Sequence, residues 1–198
     1  MSSRSAILQA VRQNQPVVET LPDITQPDYA MKFSAIEKFA EVLTTIGGRV
    51  ILVDKSDDLR SLILHVFGAE ASIVSVMDEL PFKPLFPPGT EDPHVLENVD
   101  IALMKAQFGV SENGAVWVTE AEYKVRALPF ICQHLAVVLS RQDIVPYMHE
   151  AYRKISGQQF GFGLFIAGPS KTADIEQSLV LGAHGPKTMT VFVVDGVD

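Results

Sequence analysis

Cysteine is almost absent from this 198-residue chain: Cys132 is its single thiol. One thiol closes no internal disulfide and cannot supply the several thiolates that an iron–sulfur cluster usually needs. It cannot build a cysteine-based zinc site either. Cys132 lies among apolar residues in Pro129-Phe130-Ile131-Cys132, the setting of a small buried hydrophobe. The five histidines (His65, His94, His134, His149 and His184) are scattered. No HExxH helix and no Ser/His/Asp arrangement at a strand–helix elbow is present. No metal site and no cofactor is therefore expected. No apolar run approaches the ~20 residues needed to span a bilayer. The start, Met1-Ser2-Ser3-Arg4-Ser5-Ala6-Ile7, lacks the apolar stretch of a signal peptide. Both absences lead to the expectation of a cytoplasmic protein without a membrane segment. Positive charge is scarce, with 16 Lys and Arg against 24 Asp and Glu and a net charge of −8. An acidic surface repels phosphate backbones, so no nucleic-acid partner is expected.

Apolar material is plentiful, at 47% of residues, enough for a proper core. Residues 4–12 read as a short helix and 13–31 as an irregular connector with Asn14, Pro16, Pro22 and Pro27. The expected organisation is an arm over 1–31 and one α/β domain over 32–198. Ile36, Ala40, Leu43 and Ile46 have near-helical spacing, and Gly47-Gly48 ends that helix. Strands are predicted at 49–54, 71–76, 99–104, 115–119, 134–139, 163–167 and 189–194. Helices are predicted over Leu59–Val66 with Ser56 as cap, from Asp143 through Ile155 with Pro146 in its first turn, and over Thr172–Leu181. Residues 78–98 hold Pro81, Pro84, Pro87, Pro88, Gly89 and Pro93, the composition of a lid, an edge cover or a partner contact. Uniformly apolar strands alternating with helices imply a mostly parallel sheet covered by helices on both faces. Ligands in such sheets bind beyond the carboxyl ends of strands.

Four segments have the residue types for ligand binding. In Gly168-Pro169-Ser170-Lys171-Thr172-Ala173-Asp174-Ile175-Glu176, a glycine turn leads from a strand into a predicted helix N-terminus, a source of free N–H donors. Ser170, Thr172 and Asp174 are its candidate ligand residues. It lacks both P-loop and GxGxxG spacing. Equally, Thr172 can cap the helix while Asp174 and Glu176 answer its dipole. In Gly182-Ala183-His184-Gly185-Pro186, His184 suits acid–base work, or a tight turn in which it bonds a local carbonyl. Glu112-Asn113-Gly114 can orient a polar ligand or simply turn a hairpin. Arg126 can clamp an anion. His134 opens a strand, where a histidine is more often structural.

Together these segments resemble the lactate-utilisation (LUD) domain family, of the protein C type. The match runs through Val99-Asp100-Ile101-Ala102 to Gly109-Val110-Ser111-Glu112-Asn113-Gly114, then Leu128-Pro129 with His134-Leu135-Ala136-Val137-Val138, then the 168–176 and 182–186 segments. It covers 99–198 well and 15–98 loosely. Asn113 stands where the family usually has Thr or Ser, and Lys171 where it usually has Arg. The latter replaces a planar fork with a point charge. The resemblance implies a three-layer α/β/α sandwich with a mostly parallel sheet, similar to the ribose-phosphate isomerase/CoA-transferase-like group. It also implies a role in bacterial oxidation of L-lactate to pyruvate, beside iron–sulfur partner proteins. A chain with one cysteine is not the electron carrier of such a system. The expected function is a non-redox subunit or accessory protein that binds a small polar ligand or a partner. The alternative, by fold analogy, is a free-standing enzyme on an acyl, phosphate or CoA-type substrate. Self-association stays open.

Overall fold

A computed structural model describes residues 2–20, 33–54, 58–86, 92–172 and 180–195. Contacts divide the chain into two units, Met1–Ala30 and Met31–Asp198. In the first, α1 (Ser3–Gln13) is capped by Ser2, whose hydroxyl accepts from the Ser5 N–H at 3.3 Å.

The second unit opens with α2 (Ala35–Thr45), which Gly47, at φ +93°, turns into β1 (Arg49–Val53). α3 (Leu59–Phe67) follows. The expected cap, Ser56, lies outside the described residues; Asp58 caps the helix, accepting from Arg60 N at 3.0 Å and Ser61 Oγ at 2.5 Å. Next come β2 (Ile73–Ser75), a 3-10 turn at Pro93–Asn98, β3 (Ile101–Lys105), β4 (Phe108–Val110) and β5 (Ala115–Thr119). Two short helices, α4 (Glu120–Tyr123) and α5 (Leu128–Ile131), precede β6 (His134–Ser140). The chain closes with β7 (Ile144–Val145), α6 (Met148–Ile155), β8 (Gly163–Ile166) and β9 (Thr188–Val194). Among the described residues no helix is long and apolar enough to cross a membrane.

The main sheet has the order β1-β9-β6-β3-β2 and is parallel throughout. Its central strands are buried on both faces, which is why they carry apolar residues at successive positions rather than alternating ones. Ile101, Leu103, Ala136, Val138 and Phe192 face α3 around Ile63. Ala102, Met104, Val137, Leu139 and Val191 face the other way, onto Phe39 and Leu43 of α2.

The expected α/β class with a mostly parallel, helix-covered sheet is what the chain forms. One element was not expected: a second sheet, ordered β7-β4-β5-β8. It packs Val116, Val118, Leu164 and Ile166 into the same core as α2, and Phe108, Trp117 and Phe165 outward onto α6 around Ala151. Its residues alternate between two different cores, a period of two that their uniform apolarity hides.

Three boundaries differ from expectation. The strand at 163–167 belongs to this second sheet, antiparallel to β5 with Val116 opposite Ile166. The helix expected from Asp143 begins only at Met148. Ile144 and Val145 instead pair with Gly109 and Val110, and Pro146 disfavours helical backbone at the residue before it. The helix expected over Thr172–Leu181 falls mostly on 173–179, outside the described residues, but its flanks are not helical. Thr172 N donates to Val180 O at 3.2 Å, Val180 N donates to Thr172 Oγ1 at 3.0 Å, and Lys171 pairs antiparallel with Leu181.

Cys132 is buried, and burial pushes its thiol pKa up to about 12. An unfolded thiol ionises near pH ~8.5. The folded state thus holds this proton over a range in which the unfolded state has lost it. Stability is expected to fall as pH rises above about 9, the loss continuing toward 12. Denaturant titrations at a series of alkaline pH values, compared with Cys132→Ala, measure this; equal pH dependence in both proteins would contradict it. Leu43→Ala is expected to cost about 2–5 kcal/mol, because the side chain is fully buried between the sheets. Chemical denaturation checks that value.

Candidate functional site

The site is best built outward from α2. Gly114, at φ +66°, lies flat on this helix, where a Cβ would stand 2.8 Å from Leu43 N. Gly168, at φ +75°, lies one turn on, where a Cβ would stand 3.2 Å from Ile46 O. The β5–β8 register pairs Val116 with Ile166. Gly114 and Gly168 lie just beyond the ends of these two paired strands. The glycines of two separate candidate loops both serve close packing on one helix.

The polar residues beside Gly114 are engaged by α2, α6 and the hairpin itself. Ser111 Oγ donates to Ala35 O at 2.6 Å. The Glu112 carboxylate accepts from Met148 N at 2.8 Å. Tyr147, at the N-cap of α6, provides no side-chain cap, so a carboxylate from a distant turn takes that role, favoured also by the helix dipole. Asn113 contacts Met148 Sδ at 3.2 Å through Nδ2 and accepts from Ala115 N at 3.1 Å. Glu112 and Asn113 thus tie the hairpin to α6.

Arg126 is engaged as well. A capping box, in which the Thr119 N–H donates to Glu122 Oε2 at 2.6 Å, starts α4. That fixes Glu120, whose carboxylate accepts from Gly161 N at 2.8 Å and from Arg126 Nη2 at 3.2 Å. The guanidinium also lies 5.1 Å from the centre of the Phe162 ring.

The remaining candidates gather at the amino edge of the main sheet. Ser170 N donates to Pro186 O at 2.9 Å, and Gly182 N donates to Ser170 O at 3.0 Å. These bonds join the 168–172 and 182–186 segments side by side. The two segments, expected at opposite ends of a helix whose residues 173–179 lie outside the described residues, are thus neighbours. Gly185 sits against Ser170, its hypothetical Cβ 3.0 Å from Ser170 Cβ. His184 is exposed on the same loop. Lys187 N then donates to Gln133 O at 2.8 Å, and His134 Nδ1 meets Thr188 Oγ1 at 2.8 Å. Gly168, Ser170, Thr172, His184 and His134 therefore share one edge; Asp174 lies outside the described residues.

A cleft of about 630 Å³ opens at this amino edge, lined by Arg49, Phe67, His134, Lys187 and Thr188 among others. Sequence reasoning missed Arg49, Phe67, Lys187 and Thr188 because it searched beyond the carboxyl ends of the strands. The available signal was positional: Arg49 follows Gly47-Gly48, and Lys187-Thr188 follows Gly185-Pro186. Among the described residues no cluster of three or more His, Cys, Asp or Glu side chains is arranged to hold a metal ion.

The LUD domain model matches residues 90–194, which contain the hairpin, β6, the 168–172 loop and the 182–187 loop. This chain belongs to the LUD domain family. The chain is 28% identical over 113 residues to "Lactate utilization protein C" of Oceanobacillus iheyensis, covering 54% of this chain and 48% of that protein. It is 30% identical over 158 residues to the protein of the same name from Geobacillus kaustophilus, covering 75% and 63%. It is 26% identical over 113 residues to "Uncharacterized protein YkgG" of Escherichia coli, covering 54% and 49%. The matched part thus spans about half the length of most of these relatives. A crystal structure of a DUF162 family protein from Deinococcus radiodurans superposes with a TM-score of 0.60 at 17% identity, covering 81% of this chain and 96% of that one. That likeness concerns the fold.

Two substitutions separate packing from binding in these LUD motifs. Gly114→Ala is expected to cost about 2 kcal/mol or more, from left-handed backbone strain and the approach to Leu43. Glu112→Ala is expected to cost about 0.5–2 kcal/mol through the lost α6 cap. Urea denaturation of each variant checks both, and wild-type stability for Gly114→Ala would refute the packing role.

Proposed function

We propose that this chain is a non-redox accessory protein of bacterial L-lactate utilisation, acting beside iron–sulfur proteins that carry the electrons. The observation that carries this reading is the similarity to proteins named "Lactate utilization protein C", over 113 residues in one relative and 158 in another. The thiol content supports the non-redox part: the one cysteine is buried, with its ionisation driven far above neutral pH. A cluster of the usual kind needs several thiolates. The acidic net charge of −8 accords with a protein partner or small solute rather than nucleic acid. On this reading the protein works in the cytoplasm. Residues 1–31 form an arm to the domain of 32–198, and ligand or partner contact runs through Gly168, Ser170, Thr172, Asp174, His184 and His134. Glu112, Asn113, Gly114 and Arg126 then support the site rather than touch a ligand.

Deletion of the gene in its source organism tests the reading. Growth with L-lactate as sole carbon source is expected to fail while growth on glucose continues, and a plasmid copy is expected to restore it. Undiminished growth of the deletion strain on L-lactate would contradict the proposal.

A further inference from the structure

We propose that the amino-edge cleft binds an organic anion with a carboxylate or phosphate head and an apolar body, the head held between Arg49 and Lys187. The chain carries eight more acidic than basic charges, yet among the described residues this cleft is lined by two basic side chains and by a single carboxylate, Asp100. Asp100 is engaged locally, accepting from Ser72 N at 3.0 Å. Neither Arg49 nor Lys187 has an ion-pair partner among the described residues. Two basic side chains brought together at one edge of an acidic protein set up a local field that attracts anions.

The backbone presents these cations deliberately. Arg49 is the first residue of β1, placed there by the positive-φ turn at Gly47. Lys187 is anchored by its N–H to Gln133 O, and Gly182 lies so close that a Cβ there would strike the Lys187 side chain. His134 gives Nδ1 to Thr188, which orients the imidazole and leaves Nε2 as a further polar atom for a ligand.

The remaining walls are apolar. Phe67 lies 6.2 Å from the His134 ring, and Val66, Ala71 and Met189 complete that side. At about 630 Å³ the cleft falls in the usual range of ~300–1,000 Å³ for small-molecule sites. Cations on one wall and a half-buried aromatic ring on another match a ligand with a charged head and a ring or short acyl body. This inference rests on the cleft alone and is independent of the role in lactate utilisation.

The test uses the full chain and two probes sharing one head, inorganic phosphate and phenyl phosphate, titrated by amide NMR and calorimetry. Phenyl phosphate is expected to bind roughly tenfold more tightly than inorganic phosphate. Its shifts are expected to centre on residues 47–49, 133–134 and 187–190. Arg49→Gln and Lys187→Gln are each expected to weaken binding about tenfold, with melting temperatures unchanged because both side chains are exposed. Phe67→Leu is expected to reduce the preference for the phenyl compound while inorganic phosphate binds as before. Lys154→Gln, a cation on α6 over the Phe108 ring, is the control and leaves binding unaltered. Absence of binding at millimolar probe, shifts centred elsewhere, or wild-type affinity in both Arg49→Gln and Lys187→Gln would overturn the proposal.

Discussion

The seating of α2 between two sheets is the constraint on which the rest of the domain depends. Phe39 and Leu43 are fully buried there, and glycine backbone comes close on several sides. A Cβ at Gly109 would stand 3.1 Å from Phe39 Cε2, one at Gly114 would stand 2.8 Å from Leu43 N, and one at Gly168 would stand 3.2 Å from Ile46 O. Interiors packed at crystal-like density accommodate no extra methyl without movement. The hairpin β4–β5, the loop after β8 and the helix therefore fix one another. Because α2 leads through Gly47 into β1, the same contact sets where Arg49 emerges at the sheet edge.

Seen from this contact, the family motifs divide into two kinds. Gly109, Gly114 and Gly168 are packing positions, and Glu112 is a remote helix cap. Ser170, Gly185 and Pro186 knit two loops into one edge, and that knitting brings His134, Lys187 and Thr188 to a common cleft. A motif can thus carry family identity through backbone geometry while the side chains best placed to meet a ligand lie just outside it.

Much of the fold was legible because burial on both faces leaves a mark in sequence. β6, with Leu135 through Leu139 all buried, can only be a central strand. Gly47-Gly48 likewise announced the end of α2. The second sheet was not legible, because Val116 and Trp117 are equally apolar although they face different cores. Periodicity reports burial and not which core receives the side chain. Ile144-Val145 resembled a first helical turn for a related reason: its pairing partner, Gly109-Val110, is remote in sequence. The site was partly legible. His134, Ser170 and His184 stood out by residue type, whereas Arg49 and Lys187 became meaningful only when the parallel topology brought both to one edge.

The claim that α2 and the hairpin are mutually fitted is tested most directly by a double-mutant cycle between Phe39 and Gly109, read by chemical denaturation. Alone, Gly109→Ala is expected to cost roughly 1–3 kcal/mol, since its methyl meets Leu139 and Phe39. In a Phe39→Leu background the smaller side chain leaves room for Leu139 to shift. The added cost of Gly109→Ala is then expected to fall by about 1 kcal/mol or more. Costs that add within about 0.5 kcal/mol would show that the two surfaces do not constrain each other, and would contradict the account.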